Sequence, residues 1–152
     1  MHTDKVFSPY SSPADFRAYV YDEVILAWET KRVEIISATF NKKTLESDCG
    51  LYVLKLDKVS DVQWRDKGTW PSGEFLIFHN DGRGYECLFK RLRDTFAHGH
   101  YAQSKRGWIT IKHQYKDRSG IENTRIFGNM KITTLKKLVS FLDQAASMRE
   151  ET

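Results

Sequence analysis

The chain has 152 residues and a mass of 17.8 kDa, enough for one domain that buries about 68–70% of its unfolded surface and needs no disulfide or metal to fold. A hydrophobic fraction of 40% with 29% charged residues excludes a disordered chain. Mean hydropathy of −0.56, and apolar runs far shorter than the roughly 20 residues a bilayer requires, exclude a membrane-spanning one.

The amino terminus lacks the apolar core of a signal peptide, so a cytoplasmic location is expected. Cys49 and Cys87 have neither metal-site spacing nor the numbers of a disulfide framework, and read as reduced structural thiols. Net charge is only +4, but it is unevenly spread. Residues 83–118 hold nine Lys or Arg against three acids, whereas the remainder of the chain is slightly negative. Three of the five histidines fall in the same window, which suggests a surface that tracks phosphate.

Residues 1–11 read as loosely ordered. Ser12, Pro13 and Asp15 form a helix start, and Phe16, Val20, Val24, Ala27 and Trp28 share one face of the helix that follows, which the pattern extends toward Phe40. Residues 48–50 are a break. Residues 51–62 fit helix or strand, with helix the expectation, and residues 66–73 carry the Gly68, Pro71 and Gly73 of a loop. A short buried run at 75–78 precedes an Asn80-Asp81-Gly82 turn.

A further helix is expected from about residue 83, because Tyr85, Leu88, Phe89, Leu92 and Phe96 recur at helical spacing before Gly99. Residues 108–115 alternate with the period of a strand and, after a turn at 116–120, residues 122–127 form a second extended run, which together predict a β-hairpin. Thr133 or Thr134 then caps a helix carrying Leu135, Leu138, Val139, Leu142 and Ala146.

The stretch most suggestive of chemistry is Leu92-Arg93-Asp94-Thr95-Phe96-Ala97-His98-Gly99. A guanidinium presents paired donors that match phosphate oxygens, and an imidazole exchanges a proton near neutral pH. Together they suit RNA cleavage by attack of the ribose 2′-hydroxyl on the adjacent phosphorus, a reaction that requires proton transfer and charge stabilisation and no metal.

These residues resemble the Arg-x4-6-His signature of the HEPN family, small helical-bundle proteins that include ribonucleases of toxin–antitoxin and antiphage abortive-infection systems. The specific match covers residues 89–101. The resemblance implies a mainly α fold, a HEPN-like bundle of four to five helices with a β-hairpin inserted before the last one, in a single domain. It implies Arg93, His98 and Asp94 as catalytic residues, with Arg93 holding phosphate and His98 moving protons. Arg91, His100, Tyr101, Lys105 and Arg106 are the candidate substrate-binding residues beside them.

Many members have Asn where this chain has Asp94, whose negative charge near the phosphate position favours the alternative reading, an inactive module that binds RNA, a nucleotide or a protein. No cofactor or metal is expected, since neither a phosphate-binding loop nor ligand spacing is present. On a regular helix Arg93 and His98 point about 140° apart, separated by about 7.5 Å of rise. The resemblance resolves this with a homodimer in which two motifs face each other across a cleft, and it adds RNA as substrate and an antitoxin as a further partner. His79 and His113 show no partner in the sequence and read as surface or structural histidines.

Overall fold

The computed structural model describes residues 13–35, 41–104, 106–116 and 118–151. It is a mixed α/β structure built on one five-stranded sheet. The helical bundle expected from the motif is therefore corrected: strands β1 (Tyr52–Leu56), β2 (Phe75–His79), β3 (Tyr101–Gln103), β4 (Trp108–Lys116) and β5 (Glu122–Lys131) lie in the order β1-β2-β5-β4-β3. β1 and β2 are parallel, and every other neighbouring pair is antiparallel. The expected hairpin exists, as β4 and β5, but it is the middle of a sheet and not an insertion into a bundle.

One face of the sheet carries α1 (Pro13–Val20), a π-helical turn (Tyr21–Ile25), α2 (Leu26–Ile35), α3 (Lys42–Cys49), α5 (Tyr85–Ala97) and α6 (Ile132–Glu151). Phe16, Val20, Val24 and Trp28 point inward from the first of these, as their spacing predicts, and meet Phe89 and Leu92 of α5 and Leu135, Leu138 and Leu142 of α6. Leu76, Phe78, Ile109, Ile111, Ile126 and Met130 supply the floor from the sheet. Residues 1–11, and residues 36–40 of the expected continuation toward Phe40, lie outside the described residues.

Among the described residues, the other face is covered by α4 (Val59–Lys67), which packs Val62 on Phe75, Ile77 and Phe127, and by Trp70 of the loop after it, 5.1 Å from the Phe127 ring. Covering on both sides explains why residues 75–78 read as an unbroken apolar run: alternate side chains enter two different cores. It also explains the error at residues 51–62. Val53 faces the large core while Leu54 and Leu56 face the small one, so the segment lacks the alternation that marks a one-sided strand, and the chain turns there from β1 into α4.

Polar groups on the α4 face are tied down. Asp66 of α4 is buried, accepts a hydrogen bond from Thr124 Oγ1 at 2.8 Å and pairs with Lys112 Nζ at 3.1 Å. Cys49 and Cys87 are both buried and free.

Candidate functional site

The site grows out of the end of α5. The start of that helix, at the opposite end from the site, is fixed by the Asn80-Asp81-Gly82 turn, where Asn80 Oδ1 accepts the N–H of Gly84, the N-cap, at 2.9 Å and Asp81 Oδ1 accepts the Arg83 N–H at 3.2 Å. The helix then runs to Ala97, and Gly99, with φ of 71°, reverses it. The His100 N–H bonds to Thr95 O at 2.9 Å and the Gly99 N–H to Phe96 O at 3.1 Å, the paired bonds of a Schellman ending.

This turn places His98 and His100 on either side of one glycine. The backbone then joins the sheet at once, since the Lys112 N–H bonds to His100 O at 3.1 Å and Tyr101 pairs with Ile111. His113 lies on β4 two residues beyond Ile111, on the same face by strand alternation, and so comes up beneath the turn. The ring centroids are 6.2 Å apart for His98 and His100, 4.9 Å for His100 and His113, and 5.7 Å for His98 and His113, whose planes are nearly parallel. Three imidazoles from two elements thus meet at one place.

They are not equivalent. His98 is exposed and His100 half-buried. His113 is buried, and its Nδ1 has no hydrogen-bond partner. Burial, with a smaller contribution from His100, pushes the His113 pKa down to about 4, against the opposing carboxylate of Asp94. His113 is therefore neutral at physiological pH. His100 Nδ1 accepts the Gln114 N–H at 3.4 Å, which leaves the proton of the neutral ring on Nε2.

The pKa of His113 has a consequence for stability. The unfolded imidazole titrates near 6.5 and the folded one near 4, so between those values the unfolded chain binds more protons and folding weakens as pH falls. Urea unfolding at pH 7 and pH 4.5 should show a loss of stability of order 1–3 kcal/mol that His113→Leu reduces. An equal pH dependence in that variant would contradict the assignment.

Arg93 and His98 meet different elements, as their angular separation on the helix requires. Arg93 extends toward α2, where Nη2 donates to Glu29 Oε1 at 3.0 Å, and its Nη1 donates to Asp94 Oδ1 at 2.8 Å. Its pKa is raised, chiefly by the hydrogen bond to Asp94. Asp94 links the two halves: it holds Arg93 directly, and its charge acts on His113.

The other candidates divide. Arg91 is buried and donates to His79 O at 3.3 Å and to the His79 ring at 3.0 Å, so it fastens α5 to the end of β2. Tyr101 packs between Phe96 and Phe16, with centroid distances of 5.2 and 5.6 Å, as part of the core margin. Arg106 is exposed in the β3–β4 turn, where its N–H bonds to Ser104 Oγ. Lys105 lies outside the described residues. The positive window is not a single patch either: Arg83 pairs with Asp81 and Glu86, and Lys112 belongs to the α4 face with Asp66.

Sequence reasoning missed His113, although the alternation of Ile109, Ile111 and His113 already placed it on the core face. Nor did it show the irregularity at Arg125. The β4–β5 ladder slips between His113, paired with Ile126, and Gln114, paired with Thr124, leaving Arg125 as the extra residue of a β-bulge. Its guanidinium lies 3.7 Å over the Tyr115 ring.

Fold and site together define an α/β protein with a mixed five-stranded sheet and a cluster of three histidines at the end of its central helix. The chain matches no family model, no curated protein and no solved structure in such comparisons. Among the described residues no helix is long and apolar enough to cross a membrane, and no group of three or more His, Cys, Asp or Glu is placed to hold a metal ion.

Proposed function

We propose that the protein is a metal-independent endoribonuclease that cleaves RNA by 2′-hydroxyl attack, with the histidine cluster as its catalytic centre. The observation that carries this reading is the gathering of His98, His100 and His113 at one glycine turn, with the first exposed and the second half-buried. Transesterification of RNA needs a base for the 2′-oxygen and an acid for the departing 5′-oxygen, and two imidazoles near neutral pH can serve as both.

The two rings take different roles. His100 acts as the acid in its imidazolium form, in which Nδ1 has given up the Gln114 N–H and the Nε2–H passes to the leaving 5′-oxygen. His98, exposed at the helix end, takes the proton from the 2′-hydroxyl. Asp94 acts by its charge on His113 at the base of the cluster, and Arg93 keeps Asp94 in place. Arg93 is thus a positioning residue in this reading, acting through a carboxylate and not on phosphate directly.

The cluster forms within one chain, so the reading does not depend on the homodimer or the antitoxin partner that the motif's resemblance implies. A toxin–antitoxin or antiphage setting belongs to the same proposal as its biological context. One observation favours the binding-only alternative: both arms of Arg93 are engaged by Glu29 and Asp94, so the motif arginine is closed to a phosphate as it stands. Incubating RNA with the protein in EDTA should yield fragments ending in 2′,3′-cyclic phosphate and 5′-hydroxyl groups. RNA that is bound but left intact would select the binding module.

A further inference from the structure

We infer that Arg125, and not the motif arginine, holds the substrate phosphate at the histidine cluster. The inference rests on the ribonuclease reading for its substrate class, and on three features of β5 for the assignment itself.

The first is the bulge. Counting back from Phe127, which faces α4, simple alternation would send Arg125 to the α4 face and Thr124 to the helix-rich face. The observed contacts are the reverse. Thr124 bonds to Asp66 of α4, and Arg125 lies over Tyr115, which follows Ile109, Ile111 and His113 on the face of the histidines. The extra residue in the strand therefore turns a guanidinium from one side of the sheet to the other. Bulges recur beside functional sites for this reason.

The second is location. The bulge falls between the pairs His113–Ile126 and Gln114–Thr124, so Arg125 flanks the two β4 residues that connect to the cluster: His113, and Gln114, whose N–H binds the His100 ring. Its charge acts on His113 and on His79 alike.

The third is the state of its donors. Arg93 is held by two carboxylates, and Arg91 by the His79 carbonyl and ring. Arg125 lies instead with its guanidinium carbon 3.7 Å from the centre of the Tyr115 ring, and among the described residues no carboxylate pairs with it. A guanidinium held over a ring without a carboxylate partner is preorganised for a phosphodiester's non-bridging oxygens, where negative charge builds as the 2′-oxygen attacks.

The test compares Arg125→Gln and Arg125→Lys with Lys67→Gln, a control on α4, with folding of each variant checked by its thermal transition. On a defined 12-residue RNA, Arg125→Gln should lower kcat/KM by about 10²–10³-fold, and Arg125→Lys should restore only part of it because it lacks the fork. On the 2′-O-methyl form of the same RNA, which binds and cannot react, the glutamine variant should bind less than 10-fold more weakly, with a salt slope shallower by about 1. Full cleavage by the glutamine variant would overturn the assignment.

A second measurement separates this inference from the ribonuclease reading. Inorganic phosphate is titrated while the ring signals of His98, His100 and His113 are followed by NMR. If wild type shifts and Arg125→Gln does not, the anion site stands even if RNA is never cut. Equal shifts in both, or none in wild type, remove Arg125 from the site.

Discussion

Replacing His98 and His100 together by alanine is expected to lower RNA cleavage by about 10²–10⁴-fold, the range in which a positioned acid and base contribute. The single variants should differ in kind. His98→Ala removes the base and should flatten the acidic limb of the kcat/KM profile against pH, whereas His100→Ala removes the acid and should flatten the basic limb. Because the acid is needed only when the leaving group is poor, a substrate with a good leaving group such as p-nitrophenolate at the 5′-position should rescue His100→Ala and leave His98→Ala impaired. Neither change should unfold the protein, since His98 is exposed and His100 joins the sheet through backbone bonds that alanine keeps. Equal activity in wild type and the double variant would remove the histidines from the reaction.

The largest effect on stability is expected at Gly128. This residue sits in β5 between Leu76 of β2 and Ile111 of β4, in the middle of the sheet. A Cβ there would stand 2.5 Å from Phe75 O and 3.0–3.1 Å from Leu76 atoms. The carbonyl is part of the strand and cannot swing aside as a long side chain would. Gly128→Ala should therefore cost about 3 kcal/mol, the upper part of the range for overpacking, and lower Tm by about 6–12 °C in a chain of this size. A variant that unfolds within 2 °C of wild type would show that β2 and β5 separate more easily than their spacing indicates.

Much of this architecture was legible, and its failures have identifiable causes. Helices with one buried face were read correctly because each has a single apolar stripe: Phe16 to Trp28, Tyr85 to Phe96, Leu135 to Leu142. β4 was legible because its odd residues enter the core while Thr110, Lys112 and Gln114 do not. β1 was not, because α4 covers the opposite face of the sheet and gives Val53, Leu54 and Leu56 apolar surroundings on both sides. With the strand character of residues 52–56 hidden, the sheet was reduced to its hairpin and the chain read as a helical bundle.

The site shows the same division. Gly99 and the two histidines around it were visible as a helix end, and the structure makes that end a Schellman turn. Arg93 and His98 were read as one pair because they share a motif, but a helix sends them to different neighbours. The contact that replaces the pair, His98 with His113, spans fifteen residues and depends on how β4 docks beside α5, which no local pattern reports. Arg125 was hidden more deeply still, since a bulge reverses the face that alternation assigns to it.

Imidazoles at the end of α5 are proposed to cut RNA through its own 2′-hydroxyl. The chemistry of the fragment ends tests this most directly, on a short RNA carrying one 2′-deoxy nucleotide at a site of cleavage, in EDTA. Every cut should leave a 2′,3′-cyclic phosphate, and the substituted position should not be cut. Cleavage that continues at the 2′-deoxy position, or fragments ending in 3′-hydroxyl groups, would contradict it.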